Sequence, residues 1–468
     1  MISSRVVKNT IWLTVGEIVG RLLRITLIFY SARVLGAAEW GVSSYLLSWA
    51  VLFTIATDLG LTAIVTRELV RTPERHAEHL SVFFYTKIIL LAVAGFVIIL
   101  VVPKVGALPL SRALMVSLMF LVFFDSIRLI ATAVNKAREA MHNEALINIF
   151  TQATILVIGI ALLMRAPSAE ALNVAYAAGS GLGTLYAFFL IRDYLPGIMS
   201  SFKRVRVREL LKDSLPIAIV GLVGSLMLNT DIVMLGWMRT AEEIGYYSAT
   251  QKIIFTLYVL PALIASAAFP AMTRLAHDGL AFKTFFEKIL KSSLMMALPV
   301  TIGGVITAPR LIELFYGAEY LPATTSYIIL LFTVPIAFAT AVINNALIAH
   351  NSQKHFLAYA TIGLTCNVLL NFLLIPLWGI NGAALATLVT ETITGIFIWR
   401  KINRIAGFTV PHGMNTTFAA CAVMAVAAYA ATLATLPVLA VIAVAIICYA
   451  VALYAGREPA FIQLTKKA

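Results

Sequence analysis

Apolar runs of membrane-spanning length follow one another along almost the whole chain. They fall near 9–32, 42–66, 81–102, 113–134, 144–164, 171–191, 214–237, 244–270, 292–308, 324–348, 356–377, 383–399, 414–435 and 437–455. A span needs about 20 mainly apolar residues to cross roughly 30 Å of hydrocarbon. Lipid offers no partner to a free backbone amide and tolerates no open sheet edge, so each run predicts a helix. The pattern therefore predicts an all-α membrane protein with about 14 transmembrane helices. The first run is longer than a signal-peptide core and carries internal charges, which favours a retained span over a cleaved leader.

Composition agrees with the pattern. Of 468 residues 61% are hydrophobic and 12% are charged, with a mean hydropathy of +0.93. A soluble chain carries about 25% charged residues, so soluble enzymes and nucleic-acid binders are excluded. The net charge of +13 acquires its meaning from where the basic residues sit. Of the 35 Lys and Arg, 24 fall in one alternating set of connections and termini and 6 in the other. That bias puts both termini in the cytoplasm. The three cysteines, Cys366, Cys421 and Cys448, all lie within apolar runs, so neither a disulfide framework nor a zinc spacing is available.

The chain divides into related halves. Ala38-Glu39-Trp40-Gly41 before the second span recurs as Glu242-Glu243-Ile244-Gly245 before the eighth. Six spans is an even number, so the copies begin on the same side and predict two parallel six-helix repeats, N- and C-lobes around a central cavity. The organisation expected is an N-lobe over 1–200, a basic cytoplasmic linker over 201–213 and a C-lobe over 214–405. Two extra helices and a tail fill 406–468. The linker, SFKRVRVRELLKD, reads as a topology anchor with contact to anionic headgroups as its functional alternative.

Charges inside spans carry the candidate chemistry, because each costs about 2.5–3.5 kcal/mol at mid-bilayer. The first span holds Glu17 with Arg21 about 40° and Arg24 about 20° from it around the helix, one narrow polar stripe. A Glu17–Arg21 pair would account for two of the three. Arg24 is left over, which favours a water-filled cavity lined by the stripe. Gly16 and Gly20 beside it have the small-xxx-small spacing of a close helix contact. Arg128 and Lys252 join Arg21 and Arg24 as candidates for an anion site, arginine suiting forked binding of phosphate oxygens. Asp125 is three residues from Arg128 and is placed to neutralise it. Lys87, near a span end, is expected to snorkel to the interface. Asp58, Asp231 and Glu391 are candidates for ion coupling or, equally, for structural pairing. Asn148 with Gln152, and Asn367 with Asn371, are i, i+4 amide pairs that predict interhelical hydrogen bonds, with the lining of a sugar-sized cavity as the alternative.

Catalytic motifs are lacking. His76-Ala77-Glu78-His79 is not a metalloprotease arrangement, and Gly179-Ser180-Gly181-Leu182-Gly183 lies inside a span with no preceding strand, so it reads as helix packing. No catalytic residue, metal site or cofactor is expected.

Several segments resemble prokaryotic polysaccharide repeat-unit flippases. They are ARVLGAAEWGVSSYLLSW (Ala32–Trp49) with DLGL (Asp58–Leu61), NTDIVMLGWMRTAEEIGYYSATQKI (Asn229–Ile253), ELFYGAEYLPA (Glu313–Ala323) and NFLLIPLWGINGAALATLVTE (Asn371–Glu391). The superfamily also includes lipid II flippases and the multidrug and toxin extrusion (MATE) transporters. The resemblance implies a non-enzymatic transporter of a polyprenyl-(di)phosphate-linked oligosaccharide, working by alternating access for cell-surface glycan synthesis. Family members with cationic cavities carry basic residues on the first span, a pattern that Arg21 and Arg24 match. Implied partners are the lipid-linked glycan, membrane lipids and glycan-assembly enzymes, with no nucleic acid. Coupling to H⁺, Na⁺ or membrane potential stays open, as do a MATE-like exporter of organic cations, a lipid II flippase and a non-transporting scaffold.

Overall fold

The structure is a computed structural model that describes residues 4–106, 108, 110–196, 198, 201–202, 204–352, 355–408, 414–458 and 461–462. Lys203 of the expected linker and residues 463–468 of the tail lie outside the described residues. Every long element among the described residues is an α-helix. The chain forms two compact units, Met1–Gly245 and Tyr246–Ala468.

The first unit contains α1 (Ser4–Asp58), α2 (Leu61–Arg71), α3 (His76–Leu100), the short α4 (Val102–Val105), α5 (Arg112–Ala137), α6 (Met141–Arg165), α7 (Ala169–Leu190) and α8 (Arg204–Met238). It ends in the first turn of α9 (Ala241–Leu257). The remainder of α9 opens the second unit. There it is followed by α10 (Val259–Leu275), α11 (Gly279–Tyr316), α12 (Thr324–Leu331), α13 (Thr333–Ala349), α14 (His355–Ala406), α15 (Asn415–Leu433) and α16 (Val438–Ala455).

Fourteen separate spans were expected; among the described residues, 11 helical segments are long and apolar enough to cross a membrane. The main reason for the difference is local. The first two expected spans lie in one helical path, broken at Gly36 (φ 72°, ψ 174°). The eleventh and twelfth share α14, broken at Gly379 (φ 54°, ψ −131°). Only glycine adopts such backbone angles without strain, so a single residue redirects each helix where a loop was expected. At the α14 break the limbs fold back tightly: a Cβ at Gly382 would sit 2.2 Å from the Leu374 carbonyl oxygen.

Within the first unit α8 packs on α1, α2 and α3. The repeated motif acquires a structural role here. A Cβ on Gly41 would stand 1.8 Å from the Ala241 carbonyl oxygen, and one on Gly245 would stand 1.9 Å from the Ala37 carbonyl oxygen. The two copies thus face one another as reciprocal Ala-xxx-Gly surfaces, allowing backbones to touch. Tyr45, fully buried, lies against Gly236 of α8 and stands edge-on to Trp49, which stacks on Phe53.

In the second unit Phe282, Phe286 and Leu290 of α11 pack with Ile343 and Leu347 of α13 and Ile398 and Ile402 of α14. The α15–α16 hairpin is fastened to α11. Tyr449 donates to the Met295 carbonyl (2.6 Å), Lys291 pairs with the buried Glu458 (2.7 Å), and Arg310 donates to the carbonyls of Leu436 and Thr432 (both 2.8 Å).

Candidate functional site

The basic stripe of α1 is held by α6. Gly16 and Gly20 let the helices meet closely, as their spacing predicts: added Cβ atoms would lie 2.7 Å from Ala145 and from Asn148. Asn148 then donates to the Gly16 carbonyl (3.0 Å), and one turn on Gln152 accepts from Arg24 Nε (3.4 Å). The amide pair of α6 is therefore a ladder that docks α1 and orients Arg24. On the same helix Arg21 Nε meets Glu17 Oε1 at 2.6 Å, with the side chains 48% and 56% exposed. Arg24 is exposed too, and Gln152 is its hydrogen-bond partner. Among the described residues of this unit the stripe carries one ion pair and one guanidinium without a carboxylate, both open at the surface. Charges on a span gain nothing from facing acyl chains, so this surface calls for water or a polar ligand.

Arg128, expected to join that stripe, is turned elsewhere. Its Nη2 meets Asp125 Oδ1 at 2.6 Å and its Nη1 donates to Ser180 Oγ at 3.0 Å, while Ser180 donates to the same Asp125 oxygen. That closed triangle joins α5 to α7. The glycine run of α7 is packing surface, as expected: Gly179 abuts Ile155 and Gly183 abuts Thr151.

Lys87 corrects the expectation of snorkelling. It is 0% exposed, its Nζ 2.9 Å from Asp58 Oδ1 and 3.2 Å from Ser126 Oγ, with the Phe83 ring at 5.2 Å. Asp58, 18% exposed, also accepts from Thr62, and Thr57 donates to Ser126 (2.9 Å). The pair lies where α1 gives way to α2 through Leu59 and Gly60, both at positive φ. A lysine stem could reach the interface only by leaving a carboxylate behind in the core, and losing one member of such a pair costs more than the pair itself gains. Run position alone suggested an end-of-span lysine; the signal for its partner was the other in-span acid, Asp58, 29 residues earlier.

The remaining candidates are placed as follows. Asp231 is buried on α8 of the first unit, Lys252 is half-buried on α9, and Glu391 is half-buried on α14. Asn371 Nδ2 donates to Asn367 Oδ1 (3.0 Å), so that amide pair bonds along its own helix. Among the described residues no group of three or more His, Cys, Asp or Glu could hold a metal ion.

The chain is similar over 393 residues to the probable low-salt glycan biosynthesis flippase Agl15 of Haloferax volcanii, at 24% identity, covering 83% of this chain and 82% of that one. A putative O-antigen transporter of Shigella flexneri is 21% identical over 334 residues, covering 67% and 78%. The fold matches that of a lipid II flippase, MurJ, in an inward closed conformation, with a TM-score of 0.77, 17% identity, and coverage of 94% of this chain and 98% of that one. The model of one family, described as polysaccharide biosynthesis protein, matches residues 6–276. With more than half its length matched, and that part including the α1 stripe, the chain belongs to the polysaccharide biosynthesis protein family.

Proposed function

We propose that this protein is a flippase that moves a polyprenyl-(di)phosphate-linked oligosaccharide from the cytoplasmic to the outer leaflet by alternating access. It is a multi-pass membrane transporter rather than an enzyme. Family membership and the flippase and O-antigen transporter relatives support the substrate class. The observation in the structure that carries the reading is Arg24: a guanidinium on a span, exposed and bonded to an amide rather than to an acid. Such a group is costly unless an anion visits it. Arg21 beside it shares its charge with Glu17 and supplements the site.

The reading includes two six-span repeats with two further C-terminal helices, both termini in the cytoplasm, a prokaryotic plasma membrane, and contact with the enzymes that assemble the glycan. Lys252 and Arg128 remain secondary candidates for phosphate contact. Asp231 and Glu391 are the candidate ion carriers, with Asp58 the weaker one because Lys87 occupies it. The alternative exporter of organic cations would need an uncompensated carboxylate at the open stripe, where Glu17 is paired with Arg21 and Arg24 adds a further positive charge.

The test is flipping of a fluorescent polyprenyl-diphosphate oligosaccharide in proteoliposomes. Arg24→Ala is expected to lower the rate tenfold or more, since a charge-assisted hydrogen bond contributes about 1.5–3 kcal/mol. Unchanged flipping by that variant, or a gain of tolerance to cationic dyes in cells, would overturn the reading.

A further inference from the structure

A cavity of about 490 Å³ opens in the second unit between the two limbs of α14. Its floor is Ile362 from the first limb and Ile393, Ile396 and Phe397 from the second. Its rim is Arg400, Lys401 and Arg404, one and two turns further along the second limb. The opposite side of this limb is already used: Ile398 and Ile402 are buried in the core with α11 and α13. The helix therefore has two apolar faces, and the second one runs into a cluster of three cations.

These cations differ from most of the basic residues elsewhere on the spans, although Arg24 and Arg310 also lack a carboxylate and bond to an amide and to backbone carbonyls. Arg21, Arg67, Lys87, Arg128 and Lys291 each meet a carboxylate within 4 Å. Among the described residues, Arg400, Lys401 and Arg404 form no ion pair and no side-chain hydrogen bond. The helix dipole accounts for at most one of them, because its field acts within the last turn and only Arg404 lies there. Simple anchoring of the span would not need a concave apolar floor beside the charges. Ile393 and Ile396 are themselves exposed.

We propose that this cavity binds a lipid carrying two phosphates, the apolar floor taking the start of its hydrocarbon and the three cations its headgroup. One phosphodiester carries a single charge and would leave two of the cations unmatched. Two phosphates, bridged by forked contacts, match two of the cations, and the helix C-terminus accounts for the third, Arg404. Basic recesses between transmembrane helices are suited to such headgroups. The same chemistry could come from a bilayer lipid of the diphosphatidylglycerol type or from a polyprenyl diphosphate. The site requires no transport step, so it stands or falls separately from the flippase reading.

The experiment is native mass spectrometry of the full-length protein, released from phosphatidylcholine nanodiscs doped with one probe at a time: cardiolipin, undecaprenyl diphosphate or phosphatidylglycerol. The wild type is expected to retain either two-phosphate lipid about tenfold better than phosphatidylglycerol. The R400Q/K401Q/R404Q variant is expected to lose that preference and one bound lipid. A matched variant with the same charge removed elsewhere, K136Q/R274Q/K283Q, is expected to keep both. Excess inorganic pyrophosphate should not displace the lipid, because it lacks the tail that the isoleucines and Phe397 hold. Displacement of bound cardiolipin by undecaprenyl diphosphate assigns the cavity to the carrier; resistance assigns it to the bilayer lipid. Equal loss in both variants, retention by the R400Q/K401Q/R404Q protein, equal binding of phosphatidylglycerol, or displacement by pyrophosphate would each overturn the proposal.

Discussion

At the scale of single residues, two kinds of membrane charge have to be told apart. Lys87 and Asp58 satisfy each other, with Ser126 and Thr62 completing the shell. Removing one member leaves the other uncompensated, at about 3–5 kcal/mol. Lys87→Met and Asp58→Asn should therefore each lower the thermal midpoint in detergent by a large step. The double variant should recover most of the loss. A cycle with no coupling between the two sites would refute the pair as a structural unit. Arg24 is the opposite case. Its exposed guanidinium hydrogen-bonds to Gln152 among the described residues, so Arg24→Ala should leave expression and the thermal midpoint close to wild type while flipping collapses. Arg24→Lys should restore only part of the rate, since an ammonium keeps the charge and loses the fork.

At the scale of elements, glycines decide where helices break and where they touch. Gly36 occupies backbone angles that any other residue reaches only under strain of about 1–3 kcal/mol, so Gly36→Ala should destabilise the α1 break by that order. Gly41→Ala is expected to be worse, because its methyl would stand 1.8 Å from a backbone oxygen that cannot move without shifting α9. Gly224→Ala is the control. Nothing lies within 4 Å of a Cβ there, and alanine favours a helix by roughly 1 kcal/mol, so its midpoint should stay level or rise. Thermal unfolding of the three variants, followed by size-exclusion fluorescence, checks the order. If Gly41→Ala melts with the control, the reciprocal contact of the two motif copies is not a packing constraint.

At the scale of the whole molecule, charge gives the transport proposal a direction. A potential negative on the cytoplasmic side favours outward movement of an anion by about 2.3 kcal/mol per charge per 100 mV. The same field draws an empty cationic site back toward the cytoplasm. Flipping in proteoliposomes should accelerate when a potassium gradient imposes that polarity and slow when it is reversed. A rate indifferent to potential, with and without H⁺ or Na⁺ gradients, would remove this coupling.

Much was legible without coordinates because the bilayer imposes its own rules. Run length and apolarity dictate helices, since lipid leaves the backbone no other partner. The stripe of Glu17, Arg21 and Arg24 follows from helical periodicity, and the contacts of Gly16 and Gly20 follow from their spacing. Which charges would find partners was not written in any local pattern. Lys87 meets Asp58 across 29 residues and Arg128 meets Ser180 across 52, distances over which one-dimensional periodicity carries no information. Nor could the runs reveal that Gly36 and Gly379 would bend a helix where a loop was expected, because a glycine in an apolar stretch reads the same whether it is packed or turned. The chain's own chemistry determined that it lives in lipid and carries cations there. Tertiary packing decided which cations are neutralised and which are left facing open space, because only three-dimensional proximity lets one buried charge offset another.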